Sequence, residues 1–254
     1  EYEEVIAPGG LNRFPLEPGT FELDVDAFAE SALRWGSDTA VVVTPNNPTA
    51  VSVPPGELLR LASRLEAGNC RLIVDESFIE FSRAGVAGSV EEMVDSVANL
   101  VVIKSMSKVF GIAGLRIGYV LSADREFIKT VRASLPIWNV NGLAEEFLRT
   151  VGRYRNEFWE SCDLTRSSCA EFYAELSALP GIVPVEPDAN FVLCKLVGTS
   201  VTGPQIARRM YVQHNILIKD CAAKSMPEAD RYLRIASRTP EENHQLVRAL
   251  AALL

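Results

Sequence analysis

Apolar and polar positions fall into two alternating patterns along the first half of the chain. Residues 40–44, 71–75 and 100–104 are short apolar, β-rich runs, as expected of strands buried on both faces of a parallel sheet. Between the first two, Pro54-Pro55-Gly56 opens a stretch running to about Ala67. There Leu58, Leu59, Leu61, Ala62 and Leu65 share one broad helical face. Strand, helix and strand in that order predict a βαβ crossover. Residues 118–122 read as a further strand, 123–133 as a helix, and 141–176 as one long helix or two.

Beyond that point the pattern changes. Strands are expected at 190–196, 216–219 and 232–236, with a helix at 203–214 between the first two. A last helix is well signalled: Thr239 stands at its N-cap, Pro240 at its first position, and Glu242 completes a capping box. The chain is therefore expected to divide near 136–141. The expected fold is α/β, with a mostly parallel-sheet domain over 1–138 and a smaller α+β domain over 139–254.

Composition narrows the function without deciding it. Lys and Arg number 25 against 33 Asp and Glu, a net charge of −8, so nucleic acid and anionic membrane surfaces would be repelled. No apolar run reaches the ~18 residues that span a bilayer. The cysteines are Cys70, Cys162, Cys169, Cys194 and Cys221, odd in number and never in a CxxC pair, with only His214 and His244 beside them. No metal site is expected from that set, and a reduced, cytoplasmic protein is. A nucleotide-binding doubly wound domain is disfavoured, because neither GxGxxG after a strand nor GxxxxGK[ST] occurs.

The candidate chemistry gathers at three strand ends, where open α/β sheets hold ligands. After 100–104 come Ser105-Met106-Ser107-Lys108, then Gly111-Ile112-Ala113-Gly114-Leu115-Arg116. Ser105 and Ser107 offer hydroxyl donors to a phosphate, and Arg116 a bidentate clamp. Arg116 and Lys104 as neighbouring cations would lower the amine pKa of Lys108 and make it nucleophilic. The same stretch would also serve as a solvated basic loop. Asp75 ends its strand and suits a cationic partner such as a protonated pyridine, or else caps a turn. Asn47, in Thr44-Pro45-Asn46-Asn47-Pro48-Thr49, either donates its amide to a ring oxygen or simply forms a turn.

Three segments, taken in order, resemble fold-type I pyridoxal 5′-phosphate (PLP) enzymes of the class I/II aminotransferase superfamily. They are Asn46-Asn47-Pro48-Thr49, then Asp75-Glu76-Ser77-Phe78-Ile79-Glu80-Phe81, then Ser105-Met106-Ser107-Lys108 with Gly114-Leu115-Arg116-Ile117-Gly118-Tyr119. The likeness is greatest to the branch of histidinol-phosphate aminotransferase and L-threonine-O-3-phosphate decarboxylase. It extends through Asp188-Ala189-Asn190-Phe191 and Tyr232-Leu233-Arg234-Ile235 to the final helix. The resemblance implies that Lys108 forms the Schiff base with PLP, that Asp75 pairs with the pyridine nitrogen, and that Asn47 meets the ring's phenolic oxygen. It further implies that Ser105, Ser107 and Arg116 bind the cofactor phosphate and that Arg234 holds the substrate α-carboxylate. Lys219 falls where histidinol-phosphate aminotransferases place a phosphate-binding arginine, and is a candidate substrate contact.

Implied with these are a small amino or keto acid substrate and a homodimer. The activity implied is transamination, with decarboxylation of a phosphorylated amino acid as the alternative. Phe78 departs from the pattern, since many aminotransferases carry there a tyrosine that bonds the ring oxygen. Members of the family also carry a further N-terminal segment, roughly a quarter of the full chain, with a glycine-containing phosphate loop and a ring-stacking aromatic. Nothing matching it precedes Tyr2, so these 254 residues alone are expected to bind PLP weakly or not at all.

Overall fold

The computed structural model describes residues 2, 6 and 9–254. Helix α1 (Val25–Arg34) comes first among the regular elements used below. It follows Asp24, whose carboxylate accepts from the backbone N–H groups of Asp26 and Ala27, a strong N-cap. Sequence reading had not marked this helix. Then come β1 (Thr39–Val43), α2 (Pro55–Glu66), β2 (Arg71–Asp75), β3 (Leu100–Ser105), the single turn α3 (Met106–Val109) and β4 (Gly118–Ser122). The sheet order is β1-β2-β3-β4. The first three strands run parallel, while β4 returns antiparallel to β3.

Leu58, Leu61, Ala62 and Leu65 of α2 and Val25, Ala29 and Ala32 of α1 pack on Ala40, Val42, Leu72 and Val74. Burial in β1 and β2 nonetheless alternates, with Val41, Val43 and Ile73 only half-buried. The expectation of strands buried on both faces is thus corrected for β1 and β2, while in β3 the successive residues Leu100, Val101 and Val102 are all buried. Helices α1 and α2 cover one face, and the other is partly covered among the described residues.

Helix α4 (Arg125–Ser134) starts at the N-cap Asp124 and buries no residue fully. The long helical stretch resolves into α5 (Gly142–Thr150), a 3₁₀ turn over Val151–Tyr154, and α6 (Arg155–Ser177). A second sheet follows, of β5 (Ile182–Pro184), β6 (Phe191–Leu196), β7 (Lys219–Asp220) and β8 (Tyr232–Ala236), with α7 (Gly203–His214) and α8 (Pro240–Ala251). Its order is β5-β6-β8-β7, antiparallel throughout. Val192, Cys194, Leu196, Leu233 and Ile235 turn to α6, α7 and α8 and bury a second core with Phe172, Ile206, Met210 and Leu246. The capping box of α8 is present as expected.

The strand expected at 216–219 shortens to Lys219–Asp220. Asn215 caps α7 in the left-handed region, and the Ile216 N–H turns back to Met210 O at 3.2 Å instead of joining the sheet.

Direct bonds join the two sheets' surroundings. The Asp188 N–H donates to Ala50 O at 2.7 Å. Asp188 Oδ1 accepts from Arg83 N at 2.8 Å and Nε at 3.3 Å, while Arg83 Nη1 meets Glu186 at 2.6 Å. Arg166 Nη1 donates to Glu80 O at 2.6 Å.

Candidate active site

Parallel pairing sets the carboxyl ends of β1, β2 and β3 along one edge, in the register Val43 to Asp75 to Ile103. Asp75 Oδ1 accepts from Ser77 N at 3.0 Å and from Ser77 Oγ at 2.5 Å, and Oδ2 accepts from the Tyr2 hydroxyl at 2.7 Å. The Ser77 oxygen in turn accepts from Ser105 N at 2.9 Å. Ser105 is the N-cap of α3, its Oγ accepting from Ser107 N at 3.3 Å. Arg116 Nη1 reaches Ser107 Oγ at 3.5 Å and Ala113 O at 3.1 Å.

One hydrogen-bonded line therefore runs from the acid of β2 to the arginine before β4. Lys108 projects from α3 beside it, exposed and with no side-chain hydrogen bond or ion pair among the described residues. Ser77 is the member that sequence reading passed over. Its signal was the Asp-x-Ser spacing, in which a carboxylate closes on the backbone N–H two residues on.

From the second sheet, Arg234 Nη1 donates to Asn47 Oδ1 at 2.7 Å. The guanidinium carbon lies 5.4 Å from the centre of the Phe191 ring, within cation–π range. With its oxygen engaged by Arg234, the Asn47 side chain has its NH₂ group left to donate elsewhere. Lys219 is the cross-strand partner of Arg234, so both cations stand on one face of the second sheet. Phe78 faces Phe191 edge-on at 5.3 Å between ring centres.

One electrostatic expectation is corrected. Lys104 is buried and does not act as a free cation beside Lys108. Its Nζ lies 2.7 Å from Glu91, 3.1 Å from Glu80 and 3.5 Å from Glu76. Burial pulls the Lys104 ammonium down, but Glu80, Glu91 and Glu76 outweigh it and hold its pKa above the ordinary lysine value. Burial pushes the Glu76 carboxyl up, against hydrogen bonds from Ser89 and the Val90 N–H and the pull of Lys104. The positive charge of Lys104 is thus locked into a carboxylate cluster, and Arg116 and Lys108 are left unpaired by carboxylates in this segment among the described residues.

An acid, an amine and a Ser–Arg cradle on the edge of a mostly parallel sheet, with an antiparallel sheet presenting an arginine opposite, define the PLP-dependent transferase fold. The chain belongs to the aminotransferase class I and II family, whose model matches residues 5–250. It is 44% identical, over its whole length, to CMP-5'-(3-aminopropyl)phosphonate synthase of Streptomyces rubellomurinus, and covers 40% of that protein. It is 31% identical over 260 residues to L-serine phosphate decarboxylase of Sulfurospirillum multivorans, covering 65% of it. A solved decarboxylase from Sulfurospirillum multivorans superposes on all of this chain and 73% of its own, with a TM-score of 0.91 and 30% identity. The chain thus spans 40% and 65% of the length of these two curated relatives.

The side chains present fit PLP. Two hydroxyls and a guanidinium suit a phosphate, a carboxylate suits a protonated ring nitrogen, an amide donor suits a phenolic oxygen, and an unpaired amine suits an aldehyde.

Proposed function

We propose that the protein carrying this chain is a PLP-dependent aminotransferase acting on an amino acid or a phosphorylated amino compound, with Lys108 as its Schiff-base lysine. The observation that carries this reading is the line Asp75–Ser77–Ser105–Ser107–Arg116, beside which Lys108 stands unpaired. Ser105, Ser107 and Arg116 would hold the cofactor phosphate. Asp75 would keep the proton on the ring nitrogen, and Ser77 fixes the carboxylate that does so. Asn47, held by Arg234, would donate to the phenolic oxygen. PLP, when bound, supplies an electron sink for charge left on the substrate's α-carbon. Lys108 would take up and return the proton at the substrate's α-carbon. Arg234 takes the α-carboxylate, and Lys219 beside it attracts a phosphate or other distal anion as a point charge.

Decarboxylation is a second reading with specific support. The Sulfurospirillum relative is named as a serine phosphate decarboxylase. The Streptomyces relative is named for an aminopropylphosphonate product, which likewise pairs an amine with a phosphorus oxyanion. Phe78 brings no hydroxyl to the ring oxygen. The same residues would serve either reaction, and which bond at the α-carbon breaks would depend on how Arg234 orients the substrate's carboxylate.

Two parts, 1–138 and 139–254, fit the separate cores. A homodimer fits the exposed Ile137, Trp138 and Leu143, since such apolar surface is characteristic of interfaces. A reducing, cytoplasmic location accords with five free, buried cysteines.

Borohydride reduction of the intact, PLP-loaded protein followed by peptide mapping tests the assignment. Label at Lys108 is expected; label at another lysine, or none, overturns it. Incubation with L-phosphoserine and other amino acids then separates the two reactions. Keto acid release with loss of the cofactor's long-wavelength absorbance marks transfer, and carbon dioxide with retained absorbance marks decarboxylation.

A further inference from the structure

Ala50, Ala189 and Phe191, with Phe78 packed against them, form a small apolar cluster separate from the two large cores. Phe191 opens β6 and is buried, and its ring meets the Phe78 ring at 5.3 Å and 83°, the edge-to-face arrangement that aromatic quadrupoles favour. Leu193 lies opposite Arg234 in the β6–β8 register. Phe191, two residues earlier, therefore shares the face from which Arg234 projects. The same Phe191 ring carries the Arg234 guanidinium. Among the described residues, Arg234 has no carboxylate partner. It is held by the single bond to Asn47 and by that aromatic surface.

The tilt of the Phe191 ring fixes where the guanidinium rests, and the neighbours of the ring fix the tilt. Ala50 and Ala189 are too small to brace a ring, which leaves Phe78 as the large side chain of the cluster. Phe78 stands three residues beyond Asp75, at the start of the 3₁₀ turn Ile79–Phe81. The segment that carries the ring-facing acid thus also reaches the arginine of the other sheet.

We propose that Phe78 is a positioning residue for substrate binding: through Phe191 it sets the height and tilt of the Arg234 guanidinium, and so the affinity for the substrate's carboxylate. This rests on the reading of Arg234 as the carboxylate holder. Replacement of the Phe78 ring then weakens carboxylate ligands selectively. Ligands that approach Lys108 without a carboxylate are not affected.

The test uses the intact, PLP-loaded protein, with propionate as a carboxylate probe and propylamine as a probe lacking one, both titrated by the cofactor's absorbance. Phe78→Leu keeps most of the side-chain volume but loses the flat ring, and Phe78→Tyr keeps the ring. Phe78→Leu is expected to weaken propionate about three- to tenfold, with PLP loading and propylamine affinity unchanged. Phe78→Tyr is expected to bind propionate within about twofold of the unmodified protein. Equal propionate affinity in Phe78→Leu, or equal weakening of both probes, overturns the inference while leaving the proposed function standing. An unmodified protein that loads PLP on Lys108 yet gives no propionate response overturns the role of Arg234 itself.

Discussion

Arg234 of β8 donates to Asn47, in the loop after β1, at 2.7 Å across a separation of 187 residues. The bond ties the arginine of the antiparallel sheet to the carboxyl edge of the parallel one, and it orients the amide as it does so. Arg234→Lys keeps a charge but loses the planar fork. A charged hydrogen bond is worth about 2 kcal/mol, so kcat/KM for a carboxylate-bearing substrate should fall roughly 30-fold. Steady-state kinetics on the intact protein measure this, and an unchanged kcat/KM would remove Arg234 from substrate binding.

Asp75 and Ser77 make the second prediction. Asp75→Asn removes the negative charge assigned to the ring nitrogen and should lower turnover by more than about a hundredfold, while PLP remains bound through Lys108 and the phosphate cradle. Ser77→Ala removes a hydroxyl that joins Asp75 to the Ser105 N–H. That loss should cost roughly tenfold. Turnover measured beside PLP content distinguishes lost chemistry from lost cofactor.

Lys104 provides a stability prediction. Lys104→Met would leave Glu76, fully buried, and Glu80 facing each other without their cation. Breaking such a buried cluster costs about 3 kcal/mol or more. A large fall in the urea midpoint is expected, with most of it restored in Lys104→Arg. A midpoint within error of the parent would show that the Lys104 ion pairs add nothing net to stability.

The cysteines set an alkaline limit. Burial raises Cys169 to about 12 and Cys162 to about 11, from an ordinary value of 9.0. The folded thiols thus keep their protons where unfolded ones have lost them. The unfolded state binds fewer protons, so stability is full below about pH 9 and declines as pH rises toward the folded values. Each such thiol contributes a slope of about 1.4 kcal/mol per pH unit within that window. Denaturant melts from pH 8 to 11 check this, and Cys169→Ala should show a shallower decline from a lower starting stability.

Much of this was legible in the residues, for identifiable reasons. Continuous apolar runs gave β1, β2 and β3, and their exits placed Asp75 and Lys108 on one edge, because parallel strands share a direction. The capping box at Thr239 and Glu242 marked α8 to the residue. Helix α1 escaped because its face is built largely of alanine, serine and valine, a weak signal that becomes a core only against α2 and β1. The stretch 216–218 looked like a strand because apolar composition does not reveal whether a partner strand is there to pair with. Lys104 read as a free cation because its three carboxylates come from segments 13 to 28 residues away, and only folding brings them together.

The reversal between β3 and β4 has a dimensional consequence. Ser105 lies opposite Gly118 in that pairing, and a β-carbon on Gly118 would sit 2.5 Å from the Lys104 carbonyl oxygen. The twelve-residue excursion between Ser105 and Gly118 is therefore closed at its neck by backbone against backbone, with both Lys108 and Arg116 carried inside the loop. The chain acts here as a fixed-length caliper. Its amine and its guanidinium hang from one neck, and a side chain at position 118 would have to push that neck apart.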